Sequence, residues 1–151
     1  MEIAELEAEA AALVLDRFTE ADALRLGQIL TGIAMTEALP VVINIRAPDR
    51  TFYHAALPGS APLNDLWARR KSNVALMFQE ASLLVGMRHR SKGETLAKHG
   101  LDAADHADHG GAVPIRVKGA GVVAVATVSG LPQVEDHKLV TRGLRQLKDM
   151  R

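Results

Sequence analysis

The chain has 151 residues, of which 48% are hydrophobic and 24% charged, the balance of a soluble globular protein. Eighteen basic residues against eighteen acidic ones give a formal net charge of zero, which argues against a dedicated nucleic-acid or acidic-membrane binder. Aromatics are only 3% and cysteine is absent, which excludes a base-stacking platform, disulfides, thiolate catalysis, Cys-held zinc and iron–sulfur clusters. The length suits one domain over 1–151. Glu2, Glu5, Glu7, Glu9, Asp16 and Glu20 oppose the single Arg17, the reverse of a signal or transit peptide, so the expected compartment is the cytoplasm. The longest uncharged stretch, Gly119 to Val134, is too short and too glycine-rich to span a membrane.

Ile3, Leu6, Ala10 and Leu13 form an amphipathic stripe, so 1–18 reads as an N-terminal helix or, from Ala12 to Phe18, an edge strand. Thr19 before Glu20 and Asp22 marks a helix start. That helix buries Leu26, Ile29, Leu30, Ile33 and Ala34 and is stopped by Pro40. The alternation of Val41, Ile43 and Ile45, the Pro48–Asp49 turn and the run Phe52 to Leu57 predict a hairpin. A helix of about four turns follows Pro62, with Trp67, Lys71, Val74 and Phe78 on one face. Ser82 is placed to cap a further helix reaching Arg90, and Ser91 to Gly111 reads as a polar loop with one or two helical turns. Val113 to Val117 and Val122 to Ser129 make a second hairpin across a glycine turn. The second of these strands is apolar on both faces, as in a sheet covered on both sides. Pro132, Glu135 and Asp136 open a closing helix with Val140, Leu144 and Leu147 inward. The expected class is α+β with a mainly antiparallel sheet.

Four groups of residues carry possible chemistry. His54 shares a sheet face with Phe52 and Ala56 and reads as a hydrogen-bonded structural histidine. Arg69, Arg70 and Lys71 follow Trp67 within one helical turn; they suit either an anionic ligand beside an aromatic wall or a solvated charge face. Asp102, Asp105, His106, Asp108 and His109 crowd one loop, where His106, His109 and Asp105 could meet a metal or simply form a polar loop. Gly110–Gly111 and Ser129–Gly130–Leu131–Pro132 allow close backbone approach, and the second precedes a helix whose free N–H groups suit an anion. No phosphate-binding glycine loop, dinucleotide fingerprint or hydrolase elbow is present.

The segments PVVINIR, FYHAALPGSAPLNDLWARRKSN and HGGAVPIRVKGAGVVAVATVSGLPQVEDH together resemble the heme-degrading-domain family of HbpS/GlcG-like proteins, in its small stand-alone branch. The likeness runs from about Phe18 to Leu147. It implies a profilin-like fold in α/β/α layers with a five-stranded antiparallel sheet, and homo-oligomers from dimers upward. It points to Trp67, Arg69, Arg70, Lys71, Asn73, His109, Gly110, Gly111, Pro114, Ser129, Gly130, Asp136 and His137 as ligand-binding positions. His106 has no counterpart in the motif, and Leu63 and Ala124 depart from it. Some relatives bind heme, so heme enters by resemblance alone, with no axial ligand mapped onto this chain.

Three functions follow as expectations. The first is a homo-oligomeric module for a small anionic ligand, with Arg70 and Lys71 neutralising it and Trp67 walling it. The second is a heme- or metal-dependent enzyme using His109 and His137, with Asp136 orienting an imidazole. The third is an oligomeric protein-interaction hub. The expected partners are copies of the chain and a small molecule, with no nucleic acid and no membrane.

Overall fold

The computed structural model describes residues 1–150. Its elements run α1 (Ile3–Ala12), α2 (Glu20–Thr36), β1 (Val42–Ala47), β2 (Arg50–Ala56), α3 (Pro62–Phe78), α4 (Ser82–Lys92), a 3-10 turn (Leu96–His99), β3 (Ala112–Val117), β4 (Gly121–Ser129) and α5 (Gln133–Asp149). Every pairing in the sheet is antiparallel, in the order β2-β1-β4-β3. Helices α2 and α5 cover one face and α3 the other, so the fold is α+β in three layers. Among the described residues no helix is long and apolar enough to cross a membrane.

β4 shows why the layers form. Ala124, Ala126 and Val128 join Leu26, Leu30, Ile43, Ile45, Val140 and Leu144 in the core under α2 and α5. On the opposite face Val125 packs with Ala75 and Ala112, and Thr127 hydrogen-bonds the Ser72 hydroxyl at 2.7 Å. All five β4 side chains from Ala124 to Val128 are buried, as expected for a strand sandwiched between helical layers. His54 is structural: it accepts from the Asn44 amide at 3.0 Å, and its other ring nitrogen meets Asp65 at 2.8 Å, tying α3 to the first hairpin.

The sheet has four strands among the described residues, not five. The fifth position is reduced to one residue: Leu15 makes a parallel bridge to Val117, donating to Arg116 O at 2.8 Å and accepting from Lys118 N at 2.9 Å. Extension stops there because the chain turns at once into the cap of α2, where Thr19 and Asp22 exchange side-chain-to-backbone hydrogen bonds in a capping box. Ser82 is also displaced from its expected role. It is the first helical residue, not the cap, and its hydroxyl bonds the Ala112 backbone.

Helix α1 is held by a buried polar contact. His137 Nε2 meets Glu9 Oε1 at 2.6 Å, and Arg145 donates to the other Glu9 oxygen at 2.7 Å. Burial works to raise the Glu9 pKa, but the hydrogen bonds and charges of His137 and Arg145 outweigh it and hold the carboxyl below its ordinary range. A lowered folded-state pKa stabilises above the unfolded value and is lost as pH falls through it, so α1 should loosen first in acid. Glu9→Ala would leave both ring nitrogens of His137 without a partner, since Nδ1 already has none. The expected cost is about 1–3 kcal/mol, read as a lower urea midpoint; an unchanged midpoint would show that this contact does not hold α1.

Candidate functional site

The C-terminal end of β4, the loop before β3 and the start of α5 meet around one buried ammonium. Lys71 lies on the inward face of α3 with only 3% of its side chain exposed. Its Nζ donates to Gly110 O at 3.0 Å, Val128 O at 2.8 Å and Asp136 Oδ2 at 3.1 Å. An ammonium has three N–H donors, so all three are occupied. Asp136 is also well satisfied, accepting from Leu131 N at 2.9 Å and Gly130 N at 3.3 Å besides Lys71. Burial pushes the Lys71 pKa below the ordinary ammonium range and that of Asp136 above the ordinary carboxyl range, each against the pull of its partner.

The glycines beside the pair are set by this packing. Gly111 has φ +138° and Gly130 φ +148°, a region that side-chain-bearing residues rarely enter. A Cβ on Gly111 would overlap Lys71 Nζ and Val128 O, and one on Gly130 would overlap Pro40 O. The Gly–Gly and Ser–Gly–Leu–Pro motifs therefore let backbone close around Lys71 and Asp136.

Above the pair opens a cleft of about 270 Å³. Of the residues expected at a site, Trp67, Lys71, His109, Gly110, Ser129, Gly130 and Asp136 line it, drawn from three separate stretches of sequence. Asn64, Leu131 and Gln133 line it too and were not anticipated. Asn64 sits two residues after Pro62 at the start of α3, and the P-L-N run there was the only signal available. His109 stands edge-on to Trp67, with ring centroids 5.3 Å apart. Burial, with help from Arg90, Arg70 and Lys71, outweighs Asp108 and holds His109 below the ordinary imidazole pKa. That shift favours the uncharged imidazole.

The remaining candidates lie elsewhere. The Arg70 guanidinium stacks 4.6 Å from the centre of the Trp67 ring, and its Nε donates to Ala103 O at 2.9 Å. Arg69 pairs with Asp105 at 3.1 Å, and Asn73 donates to Asp105 O at 2.8 Å. These three residues brace the loop at 103–106. His106 turns back onto Asp102 O at 3.0 Å, and it does not group with His109 and Asp105 as metal ligands among the described residues. Pro114 and His137 line a different groove under α1. His109 and His137 do not share a site, and Asp136 orients Lys71 rather than an imidazole.

A three-layer α+β domain whose cleft is floored by a buried ion pair is the class that fold and site define. The chain belongs to the family described as haem degrading protein HbpS-like, whose sequence model matches residues 18–145. A UPF0303 protein of Streptomyces coelicolor is 48% identical over 145 residues, covering 95% of this chain and 92% of the relative. The crystal structure of the Ybr137w protein superposes with a TM-score of 0.90 at 30% identity, over 99% of this chain and 89% of that one. A PduOC:heme complex shares the fold at 16% identity, with a TM-score of 0.72 over 85% of this chain and 93% of that one.

Breaking a buried pair by removing one partner costs about 3–5 kcal/mol. Lys71→Met should therefore lower the urea-derived stability by about that amount, because Asp136 loses its counter-ion in a buried site and must either carry an unpaired charge or take up a proton. A loss below about 1 kcal/mol would equate the pair with an exposed one and contradict its structural role.

Proposed function

We propose that the chain is a single-domain, homo-oligomeric module that binds a small molecule through a carboxylate or carbonyl group. The observation that carries this reading is the orientation of two amides in the cleft. Asn64 Oδ1 accepts from Ala61 N at 2.9 Å and Gln133 Oε1 accepts from Gly110 N at 3.0 Å. Each amide has its oxygen engaged within the fold, so each offers its NH₂ end to a ligand. Trp67 supplies an apolar wall, and neutral His109 a further donor or acceptor. Lys71 and Arg70 already have partners, so recognition rests on uncharged donors rather than on a free cation. Leu63, Leu66 and Met77 are exposed on α3, and β2 is an edge strand; both support self-association.

Family membership makes heme a candidate ligand, and the cleft can be tested against it. About 270 Å³ falls short of the roughly 300–1,000 Å³ of pockets for drug-sized ligands, and a porphyrin is at least drug-sized. The floor is a charged pair with backbone carbonyls, and one imidazole alone, His109, reaches the cleft. Within one chain these residues do not fit heme.

Trp67 is the sole tryptophan, so its fluorescence reports directly on the cleft. Titration with formate, acetate, pyruvate and succinate should give saturable quenching by at least one of them. Asn64→Asp keeps the oxygen that caps α3 but replaces the donor by a charge, and should weaken that binding about tenfold or more. No response to any of these probes, or equal binding by the variant, would overturn the reading. Hemin added to the same protein should give no one-to-one Soret shift dependent on His109, and native mass spectrometry should show a multiple of the chain mass.

A further inference from the structure

At the far end of α4 the chain brings together three residues that the cleft does not use. His89 lies in the last turn of α4, Gly93 ends that helix in the left-handed conformation at φ +66°, and the 3-10 turn carries His99 back over His89. The two imidazoles stack at 5.2 Å with 26° between their planes. Phe78 packs edge-on against both, at 5.8 and 5.3 Å. Val74, Val85, Leu96 and Leu101 complete a small apolar cluster with Phe78 beneath them. The rings are therefore held by packing.

The polar atoms converge. His89 Nε2 and His99 Nε2 are 3.1 Å apart, and a ligand atom of Glu94 lies within 4.8 Å of the histidine nitrogens. Two imidazoles bound to one tetrahedral zinc at 2.0–2.1 Å have nitrogens about 3.3 Å apart, so the pair already stands near metal-binding separation. His89 Nδ1 meets Asp108 Oδ2 at 2.8 Å. A carboxylate there accepts a hydrogen bond from Nδ1–H and so leaves the Nε2 lone pair facing His99, the outer-shell arrangement of zinc-bound histidines.

We propose that His89, Glu94 and His99 form a site for a borderline divalent cation such as zinc, with Asp108 as the positioning residue. The two-nitrogen, one-carboxylate donor set selects zinc or a neighbouring transition ion over magnesium or calcium. Glu94 now pairs with Lys98 Nζ at 2.7 Å and exchanges that partner for the ion. The fourth position faces a cleft of about 150 Å³ bordered by Phe78, Glu80, Arg88 and Lys92, where water or a small anion completes the sphere. Asp108 Oδ1 lies 3.8 Å from His109 Nδ1, so one carboxylate borders both this site and the ligand cleft.

Cobalt(II) titration of the full chain tests the assignment, because bound cobalt absorbs in the visible and zinc then displaces it. One equivalent should bind at micromolar concentrations. His99→Ala removes an exposed side chain, so the variant should stay folded and lose the absorption. Asp108→Asn should weaken binding about 10–100-fold, and His106→Ala should leave it unchanged. No stoichiometric cobalt or zinc binding would overturn the site, as would binding that survives His99→Ala or is lost in His106→Ala.

Discussion

The Lys71–Asp136 pair organises the molecule around its cleft. It joins α3, the end of β4, the loop before β3 and the first turns of α5, four pieces drawn from three separate stretches of sequence. Taking an ammonium and a carboxylate out of water is costly unless every donor and acceptor finds a partner. Here the backbone supplies them, with carbonyls of Gly110 and Val128 for Lys71 and amides of Gly130 and Leu131 for Asp136. The requirement is geometric, and it fixes where those three backbone segments sit.

Saturation of the pair also decides what the cleft can recognise. A lysine with a free N–H would have offered a full charge to an anion. Instead the pair forms a neutral, hydrogen-bonded floor, and Asn64, Gln133 and His109 line the cleft around it. The neighbouring cations have been drawn into other duties: Arg69 and Arg70, with Asn73, hold the 103–106 loop that leads to His109. A motif rich in basic residues thus builds the cleft while its charges are engaged within the fold.

The class, the second hairpin and the cap of α2 were legible in the sequence because each follows from local pattern. Alternation on both faces of β4 and a Thr before an acidic first turn need no distant partner to be read. The fifth strand that the resemblance implies does not form because strand and cap compete for 15–19, and the Thr19–Asp22 box prevails after a single bridging residue. Trp67, Lys71, Val74 and Phe78 share one helix face, which already placed Lys71 among apolar neighbours. What the pattern does not encode is a counter-ion on another element, so the pairing of Lys71 with Asp136 is not legible in it. The contact of His137 is hidden for the same reason, since its partner, Glu9, lies at the opposite end of the chain. His89 and His99 meet across a chain reversal at Gly93, a contact between separate elements that the local pattern does not show.

The most direct test of this account is amide hydrogen exchange in the native protein and in Lys71→Met. If the buried pair organises the cleft, the amides of Gly130 and Leu131, which donate to Asp136, and that of Gly110 should lose protection together. The turn end of the β1–β2 hairpin, around Arg46 and Thr51, lies further along the strands and should lose less protection than those three amides. Faster exchange confined to α3, with Gly110, Gly130 and Leu131 unchanged, would contradict the claim that one ion pair holds these segments in place.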